Sequence, residues 1–198
     1  MATGRHLVHE DVADEYVAKL AAIADGLRVG DPTGPEVDLG PIIDERQRDR
    51  VHALVTGSLE QGAELVAGGR YEGLFYRPTV LAGVGPDAPA YANEVFGPVA
   101  AVRVFADVDE AVAIANDSEY GLALGVLVPD VALGLEIANR IPTGIAHIND
   151  QTIADTPLAP MGGLRASGAG SHFGGLGNLD AFTETRWTTV AAARASRG

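Results

Sequence analysis

Between Ala100 and Asn149, apolar runs of strand length alternate with capped helical segments, and that alternation restricts the chain to one class of architecture. Residues 100–105 read as a strand. Asp107 then stands where an N-cap carboxylate accepts from free amides, with Glu110 at N3 and Val108, Ala111, Val112 and Ala115 turned inward. Residues 122–128 form a nearly continuous apolar run, as expected of a strand covered on both faces of a parallel sheet. Asp130 opens another helix through Ala138, and residues 144–149 give another strand. Strand, helix, strand, helix, strand predicts an α/β fold with a mostly parallel sheet flanked by helices.

Two helices and a group of short strands precede this run. In residues 12–27, Val12, Tyr16, Leu20, Ile23 and Leu27 recur at spacings of three and four, which predicts an amphipathic helix stopped by Gly30, Pro32, Gly34 and Pro35. Residues 44–61 predict a second helix, capped by Asp44, with Gln47 at N3 and Val51, Leu54, Val55 and Ser58 on one side. Its Arg46, Arg48 and Arg50 read as a solvated face, the alternative being a small anion patch. Glu64–Ala67 and residues 76–81 predict strands, and Pro78 puts the second of them at a sheet edge.

After Asn149 the pattern changes. Seven glycines between Gly162 and Gly177 are too dense for a regular helix or strand and predict a loop whose backbone passes close to something. Their spacing does not fit the dinucleotide fingerprint, and no Gly-Lys-Ser/Thr comes after them. A helix is expected at 179–184, then a last strand at 187–192 that needs a partner edge, inside the fold or on a neighbouring subunit. With no linker dividing the chain, residues 1–186 read as one unit and 187–198 as its terminal strand and tail.

The stretch Asn93-Glu94-Val95-Phe96-Gly97-Pro98-Val99 joins the two halves of this pattern. Gly97 and Pro98 demand a bend, because glycine admits positive φ while proline fixes its own φ. In extended backbone Glu94 and Phe96, two residues apart, share one face, an arrangement suited to a ligand with a polyhydroxylated part and a flat ring. The residues alone favour the plainer account, in which Phe96 plugs a core and Glu94 is solvated.

Composition removes several chemistries. A net charge of −13 argues against nucleic acid and anionic membrane as partners. The chain contains no cysteine, which excludes disulfides, thiolate metal sites and a thiol nucleophile within it. His6 and His9 lack a second pair of suitable spacing, so no metal site is expected, and they read as surface or strand-edge residues. His147 reads as a hydrogen-bonded core residue. No signal peptide or membrane-length apolar run is evident, and a cytoplasmic location is expected.

Four segments carry a resemblance. Glu94-Val95-Phe96-Gly97-Pro98 resembles the Glu-x-Phe-Gly-Pro signature of the aldehyde dehydrogenase superfamily, and Asn116-Asp117-Ser118-Glu119-Tyr120-Gly121-Leu122-Ala123 its Asn-x-x-x-Tyr-Gly-Leu-Ala segment. The run from Pro160 to Gly168 is similar to its Pro-Phe-Gly-Gly-x-Lys-x-Ser-Gly loop, with Met161 for Phe and Arg165 for Lys, and Thr183-Glu184-Thr185-Arg186 to its closing Thr-Glu-x-Lys segment. The resemblance implies a catalytic-domain-like fold with a C-terminal oligomerisation strand, homo-oligomers, and NAD- or NADP-dependent oxidation of an aldehyde by way of a cysteine thiolate. It implies that Glu94 accepts hydrogen bonds from the nicotinamide ribose and that Phe96 lies against the nicotinamide. His147-Ile148-Asn149-Asp150-Gln151-Thr152 is similar to members acting on aromatic aldehydes, which implies Thr152 and Ile153 as substrate contacts.

One departure dominates. Met1-Ala2-Thr3-Gly4-Arg5 resembles the residues immediately after the family's cysteine, and the cofactor domain has no counterpart here. The expectation is therefore a C-terminal portion of such an enzyme, without catalytic residues of its own and inactive as an isolated chain. The alternatives are a non-catalytic remnant or one subunit of a split enzyme.

Overall fold

The computed structural model describes residues 3–154 and 156–191. Its centre is a four-stranded sheet in the order β1-β6-β5-β2, built from β1 (Arg5–His9), β2 (Glu64–Ala67), β5 (Thr79–Ala82) and β6 (Val99–Phe105). β1 and β5 both run parallel to β6, with Arg5 opposite Ala101 and Thr79 opposite Val99, while β2 lies antiparallel to β5. The sheet is therefore mostly parallel, but of the three strands expected between residues 100 and 149 only β6 belongs to it; residues 123–126 and 145–148 pair with each other in a separate two-stranded parallel sheet.

Both of its faces are covered. Neighbouring strand residues point to opposite sides, so Leu81 and Ala101 enter one core and Val80 and Val102 the other. The first core lies under α2 (Glu45–Glu60), α3 (Pro89–Ala92) and α4 (Val108–Asn116), and includes Val51, Val55, Tyr91, Val95 and Ile114. The second lies under α1 (Ala13–Gly26), which rests on the sheet through the small residues Ala13, Ala21 and Ala24. Val12 and Ile23, placed inward by the helical periodicity, are exposed instead, because the close approach selects alanines.

Capping agrees with the sequence. Asp44 accepts from the Gln47 amide at 2.7 Å, Asp107 from the Glu110 amide at 2.8 Å, and Asp130 from the Ala132 amide at 2.9 Å, opening α2, α4 and α5 (Val131–Asn139). Ser58, fully buried on α2, accepts from the Ala90 amide at 2.9 Å and donates to the Leu54 carbonyl, so its hydroxyl is satisfied while it ties α2 to α3.

Four expectations are corrected. Pro78 marks no edge: the segment splits into β4 (Phe75–Tyr76), paired with β3 (Tyr71–Glu72), and β5, an interior strand that starts one residue after the proline. Residues 122–128 are not buried on both faces. There β7 (Tyr120–Gly121) gives way to β8 (Ala123–Val126), whose partner is the parallel β9 (Ile145–Ile148), and Gly125 and Leu127 stay exposed. The glycine-rich stretch is no loop but an antiparallel hairpin of β10 (Met161–Arg165) and β11 (Gly170–Phe173), with β7 on the other side of β10. Residues 187–191 come after α6 (Gly177–Phe182) without forming a strand, and Ala192 lies outside the described residues.

β1 had no distinct sequence signal, being short and partly charged. His6 on it is enclosed: its Nδ1 lies 2.7 Å from the Tyr16 hydroxyl and its Nε2 3.2 Å from the Thr3 carbonyl. Nε2 therefore donates to Thr3, and Nδ1 accepts from Tyr16. Burial pushes the His6 pKa below its ordinary value, against a smaller opposite pull from the Thr3 carbonyl. A depressed folded pKa means the folded state resists protonation more than the unfolded chain does. The resulting stability is complete above about pH 6.5 and is lost as pH falls toward the folded pKa. The urea midpoint is expected to drop on acidification below that point, and to drop less in His6→Gln.

Candidate functional site

Arg46, Gln47, Arg50, Glu94, Phe96 and Tyr120 line an open concavity of about 500 Å³. Three elements build it: the first turns of α2, the bend between α3 and β6, and the start of β7. The bend differs from its expected form. Phe96, not Gly97, takes the left-handed conformation, with φ of 52°. A non-glycine residue held there costs about 1 kcal/mol or more, so its surroundings must hold it. Gly97 is required for space instead, since a Cβ there would lie 2.7 Å from Val51 Cγ2.

What holds the bend is α2. Gln47 Nε2 donates to the carbonyls of Val95 at 2.9 Å and Phe96 at 3.1 Å. Arg50 Nη1 donates to the Val95 carbonyl at 3.1 Å and Nη2 to the Glu94 carbonyl at 2.8 Å. The Val95 side chain, meanwhile, is buried in the core against α2. With its backbone tied inward, the bend turns the Phe96 ring outward at 72% exposure. The Glu94 carboxylate is exposed and makes no hydrogen bond among the described residues.

The three arginines of α2 therefore do not form one solvated face. At 100° per residue, Arg46 and Arg50 share a side and Arg48 stands well away from both. Arg46 and Arg50 line the concavity, whereas Arg48 lies over the Tyr71 ring and donates to the Gly73 carbonyl. Gln47 and Arg50 were missed as site residues, although their i, i+3 spacing beside the buried Val51 was available to find them. Tyr120 faces them across the concavity. Its phenol is held above the ordinary range, first by the Glu119 charge, then by burial, the Glu119 hydrogen bond and the Glu94 charge, while Arg50 pulls it down.

Two of the motif segments interlock behind Tyr120. Arg165, itself at φ 53°, donates to the carbonyls of Asn116 and Ser118. The Ala166 amide donates to the Glu119 carbonyl, and Ser167 Oγ accepts from the Gly121 amide. The hairpin thus fixes β7, the strand that carries Tyr120, by pairing Arg165 opposite it.

Thr152 and Ile153 do not line this concavity. Asn149, left-handed at φ 56°, ends β9 and bonds through Oδ1 to the Val128 amide, turning the chain into their loop. Thr152 Oγ1 lies 3.1 Å from Thr3 Oγ1, and Ile153 is half exposed. The loop is thereby tied to the segment ahead of β1, whose Met1 and Ala2 lie outside the described residues. His147 is not hydrogen-bonded as expected: its Nε2 is buried without a partner among the described residues.

Fold and concavity together define a layered α/β unit that offers a carboxylate and an uncovered aromatic ring to a ligand. The pattern describing the aldehyde dehydrogenase family matches residues 1–188, and the chain belongs to that family. A vanillin dehydrogenase from Amycolatopsis sp. is 61% identical over 191 residues, 96% of this chain and 39% of that protein. A benzaldehyde dehydrogenase [NAD(+)] from Pseudomonas putida is 48% identical over 190 residues, again 96% of this chain and 39% of that protein. The crystal structure of an NAD-dependent aldehyde dehydrogenase from Sinorhizobium meliloti superposes with a TM-score of 0.89 at 35% identity, over 98% of this chain and 39% of the other. The chain thus spans about two-fifths of the length of these relatives. Among the described residues no helix is long and apolar enough to cross a membrane.

Proposed function

We propose that the chain is the C-terminal catalytic-domain portion of an NAD-dependent dehydrogenase that oxidises an aromatic aldehyde to the acid. The observation that carries this reading is the 61% identity with a vanillin dehydrogenase along nearly the whole chain. The site supports it physically. A ligand with vicinal hydroxyls and a flat ring would satisfy the Glu94 carboxylate and cover Phe96, both of which stand exposed in the concavity.

In this reading Glu94 accepts hydrogen bonds from the nicotinamide ribose and Phe96 restrains the nicotinamide, which when bound supplies the hydride acceptor. Thr152 and Ile153 line the path of the aldehyde; what supports this is the contact of Thr152 with Thr3, a residue of the segment resembling the sequence after the family's nucleophile. Residues 187–191, which form no strand within the chain and expose Trp187 and Val190 at 90% each, are read as a segment that becomes a strand only on pairing with a neighbouring subunit of a homo-oligomer.

Because these 198 residues include no cysteine, they have no thiolate to attack an aldehyde. Purified alone, the chain is expected to reduce no NAD in the presence of vanillin or benzaldehyde. Placed in the Amycolatopsis vanillin dehydrogenase in exchange for the segment it matches, it is expected to restore NADH formation with both aldehydes. Turnover by the isolated chain, or an exchanged enzyme that folds and works only on aliphatic semialdehydes, contradicts the reading.

A further inference from the structure

Two side chains one turn apart on α2 control three successive carbonyls of the bend. Arg50 takes those of Glu94 and Val95 with two nitrogens of its fork, and Gln47 takes those of Val95 and Phe96. No other group among the described residues donates to these carbonyls. Val51, the next residue on the same helix, closes the remaining side by leaving no room for a Cβ at Gly97. The left-handed turn at Phe96 is thus bounded by three neighbouring levels of one helix. With its carbonyls fixed, a peptide plane cannot rotate, and the heading of each side chain beside it is set.

We propose that Gln47 and Arg50 are positioning residues: they act on the cofactor through the bend, by aiming the Glu94 carboxylate and the Phe96 ring. The inference rests on the reading of Glu94 as a ribose acceptor. It assigns work to an arginine pattern that looks like ordinary surface charge, and it explains why an exposed helix face carries donors of such specific reach. An arginine fork can serve two carbonyls at once, a geometry that a lysine ammonium matches less well.

A double-mutant cycle in the exchanged enzyme tests the inference. Arg50→Ala is expected to raise the KM for NAD about tenfold while the KM for aldehyde holds, since charge-assisted hydrogen bonds are lost only through the bend. Arg50→Lys recovers part of the loss. In a Glu94→Ala background there is no carboxylate left to aim and only the aim of Phe96 remains to be lost, so Arg50→Ala adds much less, about threefold or below. An Arg50→Ala penalty of equal size in both backgrounds overturns the proposal, because a direct ligand contact or a general stabilising role would add independently. If Glu94→Ala by itself leaves the KM for NAD unchanged, the ribose reading fails, and the proposal falls with it. Should Arg50→Ala not fold, Gln47→Leu removes the other donor at similar volume and completes the same cycle.

Discussion

Gly144→Ala is expected to destabilise the fold by about 3 kcal/mol or more, the largest loss from adding one methyl group to this chain. A Cβ at position 144 would lie 1.6 Å from the Gly162 carbonyl oxygen, well inside contact distance and against backbone, which cannot swing aside. Gly162 is no freer, since its own Cβ would lie 2.1 Å from the Gly170 carbonyl. Three backbones are therefore stacked at near contact, with the Gly144 amide also bonded to the Gly121 carbonyl. Relief requires moving the hairpin away from β9, and the hairpin fixes β7 with Tyr120. Gly26→Ala is the matched control, because it ends α1 in open space. There alanine is expected to be neutral or to stabilise by up to about 0.5 kcal/mol through helix propensity. Urea midpoints of the two variants measure the contrast.

Glu94→Ala in the exchanged enzyme is expected to raise the KM for NAD roughly a hundredfold, with little change in the KM for aldehyde. The loss corresponds to two hydrogen bonds to a charged acceptor, each worth about 1.5–3 kcal/mol and only partly replaced by water. Glu94→Gln keeps an acceptor oxygen but not the charge, and about tenfold is expected. No change in stability should accompany either variant, because the carboxylate is exposed and bonds to none of the described residues. Steady-state kinetics with NAD varied at saturating aldehyde separates this from a loss at the aldehyde site.

The parts of this architecture that sequence made legible are those decided locally. Asp44, Asp107 and Asp130 announce their helices because capping needs only the residue and the amides two or three positions on. Glu94 and Phe96 were legible as a pair through the family signature, and the structure sets both in one concavity. What stayed hidden depends on contacts between distant segments. Glycine density looks the same whether backbone passes a ligand or another strand, so the hairpin from Met161 to Phe173 read as a loop. Pro78 suggested an edge because propensity cannot see that a strand starts one residue later. At Gly97 the expected conformational reason gave way to a steric one, which only the position of Val51 reveals. The roles of Gln47 and Arg50 likewise appear only once α2 lies against the bend, 44 to 49 residues away along the chain.

The most direct test of the central claim removes the proposed partner instead of the protein group. Dissociation constants are measured for NAD and for an analogue whose nicotinamide ribose lacks both hydroxyls, with the exchanged enzyme and with its Glu94→Ala variant. If Glu94 accepts from those hydroxyls, their loss weakens binding at least about tenfold in the parent and less than about twofold in the variant. An equal penalty in both proteins would mean that the hydroxyls are recognised elsewhere, and that the bend at Glu94 is not the nicotinamide ribose site.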